Sequence, residues 1–208
     1  MGVSARQERR EQLAAIQEAQ RRAERRRTRI IVGVAVAVAV ALVVPTAIVV
    51  MNAERRSQEL EAAAQEPIDG VRAFTDLDAT HTTEDVSYAQ TPPVGGDHHP
   101  TWQNCGFYTE PVVEEHAVHS LEHGAVWITH DPALPAADVD RLRDLADQHP
   151  YLLVSPLDGV QGVVASAWGL QLELDGVDDE RLEPFLIAYL QGPQTPEPGA
   201  PCSGGVGA

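Results

Sequence analysis

Ile30 to Met51 read IIVGVAVAVAVALVVPTAIVVM, twenty-two consecutive positions without a charged side chain. A helix over this run rises roughly 33 Å at 1.5 Å per residue, enough to cross a hydrocarbon core of about 30 Å. Nine arginines precede it: Arg6, Arg9, Arg10, Arg21, Arg22, Arg25, Arg26, Arg27 and Arg29. Basic flanks stay on the cytoplasmic side, so the pattern predicts a single-pass transmembrane helix in the cell membrane with its N-terminus in the cytoplasm. Everything after Met51 is then on the outer, cell-envelope side. A cleaved signal peptide is the competing reading. Its apolar core spans about 7–15 residues and ends in a small-residue cleavage motif, whereas here the run is longer and Asn52-Ala53-Glu54-Arg55-Arg56 follows. Pro45 lies well inside the run, where it kinks a membrane helix rather than ending it.

Working outward, the run divides the chain into a basic cytoplasmic helix (1–29), the transmembrane helix (30–51), a helical stalk (52–66) and an exported domain (67–208). Residues 1–29 carry a net charge of +5 and residues 57–208 a net charge of −22, so the total of −16 hides two opposite electrostatic characters. The basic arm suits the anionic lipid of the inner leaflet, which makes the bilayer its predicted partner. It has no interleaved aromatics and no recognition motif, which argues against nucleic acid. The acidic outer part repels polyanions and phosphate-rich ligands.

The 142 residues from Pro67 are enough for one domain with one core. Gly70 to His99 is rich in Thr, Asp, Pro and Gly and is mainly loop. Ala125-Val126-Trp127-Ile128-Thr129-His130 has the β-branched and aromatic content of a strand. Tyr151-Leu152-Leu153-Val154 is a second strand, and Val163 to Leu174 a third strand region interrupted by Gly169. Pro135 to Gln148 has an amphipathic helical stripe at Val139, Leu142, Leu145 and Ala146. Asp178 to Leu190 has another at Leu182, Phe185, Leu186, Tyr189 and Leu190. The predicted fold class is therefore α+β: a small mixed sheet with two amphipathic helices on one face, and a Pro- and Gly-rich tail from Gly192.

Cys105 and Cys202 are the only cysteines, and both fall in the exported part. In an oxidising compartment they are most simply a disulfide that pins the tail to the domain; a metal thiolate at Cys105 is the alternative. All eight histidines also lie there, five of them between His98 and His123. His119 and His123 are four residues apart, which puts them on one face of a helix or a strand. Neutral imidazole is the commonest metal ligand, and a nearby carboxylate such as Glu122 orients it. The segment His119-Ser-Leu-Glu122-His123 matches H-x-x-E-H, the inverted zinc-peptidase motif, with Glu122 as general base. That motif needs a helix of several turns, and Gly124 leaves at most a turn or two.

The segment Tyr88-Ala-Gln-Thr-Pro92-Pro93-Val-Gly-Gly96-Asp-His98, then Trp102-Gln-Asn-Cys-Gly106-Phe-Tyr108, Pro111 and Val118-His119-Ser-Leu121-Glu122-His123-Gly124, resembles the bacterial domain-of-unknown-function family 3105, common in actinobacteria. The tail from Gly192 to Cys202 is similar to the same family's actinobacterial members. The resemblance runs from about His81 to the end of the chain. It implies a membrane-tethered exported domain without an assigned reaction, and it marks His81, His98, His119 and His123 as motif positions.

Together these features predict an exported domain that binds a divalent transition metal, Zn or Cu(II). The ligands are His98, His119 and His123, with His81 as a fourth and Glu122 behind them. Residues 52–208 contain no methionine, which argues against a Cu(I)–thioether carrier. A non-metal interaction module of the cell envelope, with the histidines as a hydrogen-bonded scaffold, is the second reading. A metal-dependent hydrolase is the third.

Overall fold

Val126–His130 and Leu152–Pro156 are buried along their whole length, as strands covered on both faces must be. They lie side by side within the sheet in a computed structural model that describes residues 2–207, with the side chains of residues 2–17, 19, 23, 28, 30, 31 and 33–39 outside the description. In chain order the elements are α1 (Gly2–Gln65), β1 (Arg72–Ala73), β2 (Gly106–Phe107), α2 (Glu114–Glu122), β3 (Val126–His130), α3 (Ala136–Gln148), β4 (Leu152–Pro156), β5 (Val163–Ala167), β6 (Leu170–Leu174) and α4 (Leu182–Tyr189). The chain divides into two units, residues 1–57 and 58–208.

The first unit is helical throughout its described length, as part of α1. Among the described residues no helix is long and apolar enough to cross a membrane. Of the predicted span from Ile30 to Met51, the side chains of 30, 31 and 33–39 lie outside the described residues.

The second unit is α+β around a six-stranded mixed sheet in the order β1-β6-β5-β3-β4-β2. β3 and β4 run parallel, joined through α3, with Val126 opposite Leu152 and His130 opposite Pro156. β2 adds to β4 in parallel, while β5 pairs with β3 and β6 with β5 in antiparallel. The predicted third strand region is two strands. Gly169, at φ +70°, turns the chain between them, and a Cβ there would lie 3.0 Å from the Phe74 carbonyl oxygen.

Side chains alternate across the sheet. Val126, Ile128, Leu152, Val154 and Leu172 pack on one face against Leu142 and Ala146 of α3 and Leu182, Phe185 and Leu186 of α4. Trp127, Leu153 and Val164 face the other way, against Ala117 and Leu121 of α2. The two predicted helices thus share one face, and the opposite face is covered by a third that the stripes do not reveal, α2. It escapes the periodicity argument because two buried positions four apart are its whole contribution to this core, and glutamates and histidines occupy most of the rest.

The second predicted helix also starts later than its stripe implies. The Asp179 carboxylate accepts from the backbone N–H groups of Asp175 and Arg181 and from the Arg181 guanidinium. A side chain folded back on its own backbone competes with the first helical turn, so α4 begins at Leu182.

Candidate metal centre

α2 supplies the core of the site. Its inner face holds Ala117 and Leu121 against Trp127, and this leaves His119, Glu122 and the C-cap residue His123 on its remaining surface. Gly124 ends the helix at φ +93°, and a Cβ there would lie 2.9 Å from Thr195 Oγ1 and 3.0 Å from Gln191 Cα. The stop therefore needs glycine twice, for its backbone angle and for the close passage of the tail.

Two other segments close over this helix. An extended stretch pairs His81 with His98: the Thr82 N–H donates to the His98 carbonyl at 2.8 Å, and the His98 N–H to the Thr80 carbonyl at 3.0 Å. The C-terminal tail crosses from the other side. It is held by the Cys105–Cys202 disulfide (Cα–Cα 5.3 Å), by the Glu197 N–H on the Glu122 carbonyl and by the Tyr151 hydroxyl on the Ala200 carbonyl. The disulfide predicted from the cysteine count is present, and it uses both thiols, leaving the site with nitrogen and oxygen donors.

The imidazole tautomers follow from their partners. His98 Nδ1 lies 2.8 Å from the Gly96 carbonyl oxygen, His119 Nδ1 2.7 Å from that of His99, and His123 Nδ1 2.7 Å from that of Pro201. A carbonyl oxygen only accepts, so each Nδ1 carries the proton and donates it. In the neutral ring each Nε2 is then a bare lone pair. These lone pairs meet other electron pairs: His119 Nε2 is 2.8 Å from His123 Nε2, and His98 Nε2 is 2.9 Å from Glu122 Oε2. Both contacts call for a cation between them, a proton or a metal ion.

Burial makes the demand sharper. His98, His119, Glu122 and His123 are all under 5% exposed. Burial, reinforced by the neighbouring His123, His98 and His81, pushes the His119 imidazole down to about 4 against the opposing hydrogen bond to His99. It is therefore neutral and able to coordinate at neutral pH without first losing a proton.

Donor atoms of His81, His98, His119 and Glu122 all lie within 4.8 Å of one another, and so do those of His119, His123 and Glu197. The four predicted histidines thus come together, but as two groups that share His119. Glu122 stands among the donors, 2.9 Å from His98 Nε2 and 3.6 Å from His81 Nε2, rather than behind them. Glu197, 3.5 Å from His123 Nε2, was not among the predicted residues. Its signal in the sequence is its place five residues before Cys202, whose bridge draws the tail to the site. Trp102 flanks the group, its ring centroid 4.9 Å from that of His123.

A family model described as protein of unknown function (DUF3105) matches residues 80–204, a span that contains every residue of both donor groups. The chain belongs to that family. No curated protein and no solved structure matches it.

Proposed function

We propose that this chain is a single-pass membrane protein, cytoplasmic at its N-terminus, whose outer domain binds one divalent transition-metal ion, Zn or Cu(II). The ligands are the imidazoles of His81, His98 and His119 and the carboxylate of Glu122, with His123 beside them. One observation carries this reading: His98, His119 and His123 each give Nδ1–H to a backbone carbonyl and keep a bare Nε2 inside the cluster. Metal-ligating histidines are held in this way, because the second hydrogen bond fixes the tautomer and the ring. Imidazole and carboxylate donors suit Zn and Cu(II) rather than Cu(I). The membrane anchor rests on the uncharged run from Ile30 to Met51 and its arginine flank.

The test is metal uptake by the full chain in nonionic detergent, stripped with chelator and dialysed against Zn or Cu(II). One ion per chain is expected. His98→Ala and His119→Ala abolish uptake, and His149→Ala, outside the cluster, leaves it intact. No stoichiometric uptake by the wild-type chain overturns the reading. The anchor is tested separately: the protein stays in the membrane pellet through a carbonate wash.

The scaffold reading has one observation of its own. At 2.9 Å, His98 and Glu122 also form a sound imidazolium–carboxylate pair with a proton in place of the metal. Stripped and loaded protein with identical stability would favour it. A hydrolase is less well supported, because Glu122, its general base, already faces His98 and His81.

A further inference from the structure

Away from the histidine cluster, three parallel strands end at one place. β2 stops at Phe107, β4 at Pro156 and β3 at His130, and these last residues border a cavity of about 410 Å³ completed by Tyr108, Glu110, Val139 and Asp158. The carboxyl ends of parallel strands are where open α/β sheets take their ligands, since the connecting loops diverge there and leave a crevice.

His130 gives this crevice a chemical demand. It is 4% exposed, and its Nδ1–H donates to the Asp131 carbonyl at 2.8 Å. In the neutral ring Nε2 then carries a lone pair, and among the described residues this buried atom has no hydrogen-bond partner. An unpaired buried acceptor is costly and calls for a donor. The carboxylates that line the crevice are both exposed, Glu110 and Asp158, and the described lining residues include no arginine. The Arg143 guanidinium lies 4.4 Å from the Phe107 ring centroid and is paired with Asp140. Phe107, Val139 and Pro156 supply apolar wall.

We propose that this cavity binds a small organic ammonium ion. An N–H of the ligand donates to His130 Nε2, the positive charge faces Glu110 and Asp158, and the hydrocarbon part rests on Phe107, Val139 and Pro156. The site shares no residue with the metal centre, so the two readings stand or fall separately.

The experiment titrates the chelator-treated full chain, in nonionic detergent, with benzylamine, benzyl alcohol and benzoate. The readout is the His130 ring nitrogens by ¹⁵N NMR, assigned by loss of the signal in His130→Gln. Benzylamine moves the His130 signals saturably, benzyl alcohol more weakly, and benzoate leaves them in place. Glu110→Gln combined with Asp158→Asn leaves the reporter intact and weakens benzylamine about five- to tenfold, as loss of two exposed ion pairs allows. His130→Phe fills the same space without an acceptor and weakens benzylamine further in titration calorimetry, which does not need the His130 signal. If that variant fails to fold, the double carboxamide variant still decides. Unmoved His130 signals, equal binding of benzoate, or unchanged affinity in the double variant overturns the proposal.

Discussion

Acidification of the metal-free protein should weaken its fold through one residue, His119. Burial holds this imidazole at about 4 in the folded chain against 6.5 for a free histidine. Between those values the unfolded chain binds a proton that the folded chain refuses, so stability is fully present above pH 6.5 and falls as pH drops toward 4. At pH 4.5 an unfolded imidazole is almost wholly protonated and the folded one only about a quarter. The difference corresponds to a loss of about 2–3 kcal/mol relative to neutral pH. The measurement is urea unfolding at pH 7.5 and 4.5, followed by tryptophan emission, since Trp102, Trp127 and Trp168 all lie within residues 58–208. With m near 1–3 kcal/mol/M the midpoint falls by roughly 1–3 M through this group. His119→Gln shifts the stability at both pH values but removes this part of the difference between them. If the variant loses as much stability on acidification as the parent, the reasoning is refuted, and the buried imidazole is not the proton-refusing group.

Three further outcomes follow from the same geometry. Zinc at a hundredfold excess over its dissociation constant stabilises the chain by about 2.7 kcal/mol at pH 7, an increment that calorimetry should find in the wild-type protein and not in His119→Gln. Replacing Cys105 and Cys202 together by alanine frees a loop of 97 residues. It should cost up to about 4.5 kcal/mol in urea unfolding, and it should also weaken zinc binding in titration calorimetry, because the bridge holds the tail whose Glu197 N–H donates to the carbonyl of the ligand Glu122. Gly124→Ala combines a left-handed backbone with contacts at 2.9 to 3.1 Å to Thr195 and Gln191; a loss of about 2 kcal/mol or more should appear as a lowered thermal midpoint.

What could be read in the sequence was whatever had a local cause. β3 and β4 are visible in their β-branched and apolar runs, and α3 in its stripe, because burial on a regular element writes a regular pattern. The disulfide followed from there being only two cysteines in the sequence. The hidden parts are non-local. Nothing near His81 announces that it pairs with His98, since their bridge joins two loop segments without periodicity. Glu197 lies in a Pro- and Gly-rich tail whose path is set by a bridge five residues further on and by hydrogen bonds to Glu122, Gly124 and Trp102. The two-residue strands β1 and β2 are too short to write any pattern.

The role of Glu122 shows how far helix geometry alone goes. At about 100° per residue, a position three ahead of His119 lies roughly 60° to one side of it and a position four ahead roughly 40° to the other. Glu122 and His123, although neighbours in the chain, therefore diverge around His119. Each is met from its own side: Glu122 by His81 and His98 on the loop segments, His123 by Glu197 on the tail. The four-residue spacing of the two histidines suggests one shared ligand face. The carboxylate between them splits that face into two donor groups, and His119, on their common line, is the one residue both require. Substitution at His119 should then remove metal binding whichever group holds the ion, whereas substitution at His123 or at Glu122 discriminates between them.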